Sequence, residues 1–182
     1  MRSTRQGAKA LSKQGSKTGL QNYYKMQKIL KKLLTNDIIE SEKYQTTKKG
    51  LTKMIKSYIL DTDGNMKITD HFKVKEFACK DGSPVVFVDE YMVALLEMLR
   101  KKINKPIIIT SGYRTPGHNK KVDGAKYSYH MRGCAADIRV NDVATKEVAK
   151  ELNKIVPNSC GIIVYDNWVH FDVRNKKYRK GV

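Results

Sequence analysis

The residues able to do chemistry are concentrated in two short stretches. In SYHMRGCAAD, residues 128–137, His130 and Asp137 stand seven positions apart, with Gly133, Cys134 and Ala135 between them. Those small residues let the chain turn tightly, so that the two polar side chains can converge. In WVHFDV, residues 168–173, Trp168, His170 and Asp172 occupy alternate positions, and alternate side chains of a strand share one face. Two histidines and one carboxylate, with water in the fourth position, would make an open catalytic zinc site. An H-x6-D pair arises often by chance. Spacing alone therefore leaves a surface histidine and a strand-end aspartate as the competing reading.

The elements around these stretches have to bring them together. Asp89 can cap a helix through EYMVALLEMLRKKI, where Met92, Leu95, Leu96 and Leu99 form the buried stripe. KPIIITS reads as a strand opened by Pro106, whose missing N–H matters least there. A long polar loop leads to His130. AADIRV is the next strand, and it sets Asp137 among apolar neighbours, where a bare carboxylate is expensive unless paired or metal-bound. A helix is expected over roughly 145–156. GIIVY-DN-WVHFDVR then reads as a β-hairpin turning at Asp166-Asn167. The expected fold class is α+β: a small antiparallel sheet flanked by helices, with a zinc site in a groove over residues 66–182.

Ahead of that domain the sequence changes character. Of 36 basic and 18 acidic residues, 14 and 3 respectively fall within residues 1–60. Residues 1–20 read as a flexible basic arm, and 21–65 as a basic helical extension. In that extension Met26, Ile29, Leu30, Leu33 and Leu34 follow helical spacing, as do Leu51, Met54, Ile55, Tyr58 and Ile59. A net charge of +18 favours a polyanionic partner, nucleic acid or an anionic wall polymer. Cys79, Cys134 and Cys160 form no C-x-x-C pair, which argues against a cysteine zinc knuckle and fits a reducing cytosol. No apolar run approaches the roughly 18 residues of a membrane span. The basic N-terminus lacks the apolar core of a signal peptide, so synthesis in the cytoplasm without that signal is expected.

Four segments carry a resemblance: HFKVKEFACKDG (71–82), VDEYMVALLEMLRKKINKPIIITSGYRTPGHN (88–119), GAKYSYHMRGCAADI (124–138) and GIIVYDNWVHFDVR (161–174). In this order they resemble the zinc D-alanyl-D-alanine carboxypeptidase family of peptidoglycan peptidases. That family includes vancomycin-resistance dipeptidases and phage L-alanyl-D-glutamate endolysins, and it shares its fold with the hedgehog signalling domain. The most specific elements are S-x-H-x-x-G-x-A-x-D, here Ser128, His130, Gly133, Ala135 and Asp137, and the late histidine of WVHFD. The resemblance implies one zinc ion held by His130, Asp137 and His170. It also implies a carbonyl-facing Arg114 in SGYRTP and a substrate pocket lined by Ser128. Trp168 and Tyr165 are candidates to stack on a glycan or peptide, or to pack in the core.

One position departs from the family pattern. Many members carry an acid three residues before the last histidine, as general base; here that residue is Asn167. Asp166 and Asp172 are the candidates left for the base, with Asp166 fitting a hairpin turn equally well and Asp172 able to orient His170 instead. The implied substrate is a peptidoglycan stem peptide. The implied setting is a phage or prophage lysin released at the bacterial wall or carried in a virion, with the basic region gripping anionic wall polymer or virion parts. Two other readings stand beside it. One is a basic nucleic-acid- or virion-binding protein with a structural, non-catalytic zinc domain; the other is a cytoplasmic D-Ala-D-Ala dipeptidase. His71 and His118 read as polar loop residues, and Cys134 as the filler of a small-residue slot.

Overall fold

The computed structural model describes residues 55–182. The basic arm and most of the helical extension, with Met26, Leu30, Leu34, Leu51 and Met54, lie outside the described residues. At the start of the described chain, Ile55–Ile59 is a strand, β1, and not the end of an amphipathic helix. It pairs antiparallel with β2, Val85–Asp89. The helical spacing of Ile55, Tyr58 and Ile59 misleads because tertiary pairing decides the conformation. Tyr58 alone is buried, while the two isoleucines are half exposed.

A single helical turn, α1 (Leu60–Asp63), and a 3-10 turn at Val74–Phe77 lead from β1 to β2. The helix α2, Glu90–Ile103, follows directly. The Asp89 side chain accepts from Tyr91 N at 3.0 Å and starts it; Asn104, left-handed with φ 54°, ends it. Residues Met92 through Leu99 are all buried, so this helix is enclosed rather than lying on a surface. Each large apolar side chain sealed there contributes about 1.5–3 kcal/mol.

The second sheet carries the site. Its strands are β3 (Ile107–Ser111), β4 (Ala135–Val140), β5 (Gly161–Val164), β6 (Val169–Asp172) and β7 (Tyr178–Lys180), in the order β3-β4-β6-β5-β7. All neighbours are antiparallel except β5 and β7, so the sheet is mixed where an antiparallel one is expected. The reason is local. The chain leaves β6 beside the start of β5, crosses that end within residues 173–177, and enters β7 running in the same direction as β5.

Within the polar loop after β3 lie a short helix α3 (Pro116–Lys121), capped by Thr115, and a 3-10 turn at Tyr129–Arg132. Helix α4, Thr145–Ile155, buries Val148, Ala149, Leu152 and Ile155. The β5–β6 hairpin closes as its sequence suggests, with Tyr165 N donating to Trp168 O across Asp166 and Asn167. No helix among the described residues is long and apolar enough to cross a membrane.

Candidate metal centre

β4 and β6 pair so that Asp137 faces His170 and Ile138 faces Val169. Directly opposed side chains on one face of an antiparallel pair meet at close range. His170 Nδ1 accordingly lies 2.8 Å from Asp137 Oδ1.

His130 arrives from the 3-10 turn rather than from the sheet. Ser128 caps that turn, its Oγ accepting from His130 N at 3.3 Å. Gly133 ends it at φ 67°, and a β-carbon there would sit 2.3 Å from the Phe87 carbonyl oxygen. Only glycine satisfies both the left-handed backbone and the close approach of β2. The turn is also laced to the segment after β3: Arg114 N donates to His130 O, and His130 Nδ1 donates to Gly112 O at 2.7 Å.

The second partner of each ring bears on its tautomer. A carbonyl oxygen can only accept, so His130 carries its hydrogen on Nδ1 and presents a lone pair on Nε2. His170 lies between two carboxylates, with Nε2 3.1 Å from Asp172 and Nδ1 2.8 Å from Asp137; a hydrogen held on Nε2 by Asp172 leaves Nδ1 to face a metal. Nε2 of His130, Nδ1 of His170 and Oδ1 of Asp137 therefore converge, with separations of 3.1, 2.8 and 3.3 Å. Tetrahedral zinc with bonds of about 2.0–2.1 Å sets its donors about 3.3 Å apart. The triangle is close to that size, and two lone pairs beside a carboxylate repel one another unless a cation or a proton lies between them. Among the described residues, His130, Asp137 and His170 are the set able to hold a metal.

Burial works against charge on Asp137, but the adjoining His130 and His170 rings outweigh it and hold the carboxyl well below the usual range. Burial likewise opposes charge on His170, yet Asp137 and Asp172 prevail and raise the imidazole above its ordinary value.

Arg114 sits on the far oxygen of the same aspartate. Its Nη2 donates to Asp137 Oδ2 at 2.6 Å and its Nε to Ser111 Oγ at 2.8 Å. The β3–β4 register slips between Ile109 and Ser111, with Thr110 Oγ1 donating to Asp137 O, and this irregularity brings Ser111 opposite Asp137. The bonds of the Arg114 side chain to described residues run through Nε and Nη2.

The two candidate bases are placed differently. Asp172 is fully buried, and all its acceptor positions are used: Oδ1 by Arg174 N and Nε, Oδ2 by Arg174 Nη2 and His170 Nε2. Against the cost of burial, Arg174 and His170 hold its carboxyl below the ordinary range. Asp166 lies at the hairpin turn and lines, with Asn167, a pocket bounded by Ile138, Val140, Val148 and Val169. Ile138 and Val169 alternate with Asp137 and His170, so that pocket belongs to the opposite face of the sheet.

Trp168, just before β6, stacks on Tyr165, just after β5, with ring centroids 4.7 Å apart. Tyr165 keeps 41% of its surface exposed. His71 is absent from the cluster and pairs with Glu97 instead, Nδ1 to Oε1 at 2.7 Å. His118 lies on α3, and Cys134 is buried with its thiol on Arg132 O. The sequence reading missed Ser111, the Gly112 carbonyl and Arg174. Only Arg174 left a legible trace, as the basic residue two places after Asp172.

Residues 70–172 match the Peptidase M15 family model. No curated protein matches the chain.

Proposed function

This chain belongs to the Peptidase M15 family, the zinc D-Ala-D-Ala carboxypeptidase and hedgehog-like group, and on that premise we propose that it is a zinc peptidase cleaving an amide bond in peptidoglycan stem peptides. The observation that carries the reading is the convergence of His130 Nε2, Asp137 Oδ1 and His170 Nδ1 on one point. Three protein donors leave a position for substrate, as catalytic zinc requires. Bound there, zinc supplies Lewis acidity, polarising an amide carbonyl and acidifying water at the site.

The chain's own residues do the rest. Asp172 keeps the His170 hydrogen on Nε2, so that Nδ1 stays available. Arg114 steadies Asp137 through Oδ2 and offers Nη1 to the oxygen of a carbonyl as negative charge develops on it. Tyr165 and Trp168 give a flat aromatic surface for the peptide or its glycan. The excess of basic residues in 1–60 suits anionic wall polymer or a virion component, and the whole suits a phage-type lysin acting at the bacterial wall.

One observation favours a second reading, a zinc domain without peptidase activity carrying a basic binding arm. Asn167 stands where an acid is usual, and the saturated Asp172 has no acceptor position left for a proton from water. Mass analysis of products from purified peptidoglycan separates the two, using wild type, chelator-treated protein and His130→Ala. Metal-dependent release of a defined stem fragment is expected. One tightly held zinc per chain with no release would sink the peptidase and leave the binding protein.

A further inference from the structure

We infer that Arg174, in contact with the rings of Tyr129 and Tyr178, is a positioning residue of the metal centre, and that the C-terminal strand β7 is therefore part of the site. Both Arg174 and Tyr178 lie beyond the segment matched to the family, which ends at residue 172.

Arg174 grips Asp172 through two side-chain bonds, Nε to Oδ1 at 2.7 Å and Nη2 to Oδ2 at 2.6 Å, and adds its backbone N to Oδ1 at 3.1 Å. A planar guanidinium in this fork fixes the carboxylate plane, which a single point charge does not. The oxygen Oδ2 is thereby held where it accepts from His170 Nε2. The orientation of the His170 ring, and so the direction of its Nδ1 lone pair, follows from the guanidinium.

The guanidinium itself meets two aromatic rings. Its central carbon lies 4.9 Å from the Tyr129 ring centroid and 4.6 Å from that of Tyr178. Tyr129 opens the 3-10 turn that holds His130, and Tyr178 opens β7. One side chain thus touches the turn of the first histidine, the strand of the second and the last strand of the sheet. Space for it comes from β5. A β-carbon on Gly161 would sit 2.3 Å from Asp172 Oδ2 and 2.6 Å from Arg174 Nε. Tyr178 N donates to Cys160 O, which pins β7 beside that glycine.

This inference rests on the metal reading of the site and not on peptidase activity, so its test reads the metal. Zinc affinity of the full chain is measured by competition with a chromophoric chelator, alongside the visible spectrum of the cobalt-loaded protein and the melting temperature of the metal-free protein. Arg174→Ala is expected to weaken zinc about 10–100-fold and to shift the cobalt bands, as loss of an outer partner of a ligand does. Arg174→Lys should recover part of the affinity, since it keeps the charge but not the fork. Tyr178→Leu, at a half-exposed position, should cost about 2–5-fold, and it carries the test if Arg174→Ala does not fold. Affinity within twofold of wild type and unchanged cobalt bands in a folded variant would overturn the inference. Failure of the wild type to bind zinc would instead overturn the metal reading beneath it.

Discussion

His130 Nε2 and His170 Nδ1 lie 3.1 Å apart, each on a ring whose other nitrogen already donates, one to the Gly112 carbonyl and one to Asp172. Two lone pairs at that distance repel each other unless a cation or a proton lies between them. With Asp137 Oδ1 as the third donor, the site is preset for a metal by its outer partners, before any metal arrives.

Zinc should therefore stabilise the fold. At a free concentration a hundred times its dissociation constant, stabilisation of about 2.7 kcal/mol is expected, seen as a rise in melting temperature that a chelator reverses. His130→Ala should abolish the rise. A rise of equal size in that variant would place the metal elsewhere.

Arg114 is expected to act on the transition state more than on binding. Arg114→Ala should lower kcat about 10²–10³-fold, the usual cost of one oxyanion donor, with a smaller change in KM. Steady-state kinetics on a stem peptide, with zinc content measured on the same sample, check this. A variant that lost its zinc would show that the Asp137 contact, rather than Nη1, is the important one.

Asp166→Asn should leave hydrolysis within about twofold, since the turn opens to the other face of the sheet and surface changes of this kind are near neutral. A loss of more than about tenfold, with the acid limb of the pH profile removed, would make Asp166 the proton acceptor.

Glu97 gives a pH dependence independent of the site. It is buried on α2, where it accepts from Thr69 Oγ1 at 2.9 Å and from His71 and pairs with Lys101. Burial alone would raise its pKa, but His71 and Thr69 outweigh that and lower it. A depressed folded value means the unfolded chain binds the proton more readily. The contribution is therefore present above the unfolded glutamate value, about 4.3, and is lost as pH falls through the folded one. Urea unfolding at neutral pH should show Glu97→Gln less stable by about 1–3 kcal/mol. The gap should narrow in acid; a constant gap would show that the loss is one of packing alone.

Much of this protein is determined by its sequence alone. The Asp89 cap, the enclosed helix after it, the strand carrying Asp137 and the hairpin carrying His170 are all set by local patterns of apolar residues, caps and turns. Local rules act over a few residues, so spacing is enough to read them. The three candidate donors are named through the resemblance to a family motif, because spacing alone leaves them ambiguous. The tertiary structure decided what depends on partners distant in the chain. Ile55–Ile59 became a strand because β2 lies beside it, and β7 runs parallel to β5 because the chain crosses one strand end. Asp172 is hydrogen-bonded at both oxygens rather than a free carboxylate because Arg174, which meets the rings of Tyr129 and Tyr178, occupies its lone pairs. A carboxylate's role is fixed by which donors surround it, and no spacing along the chain records that.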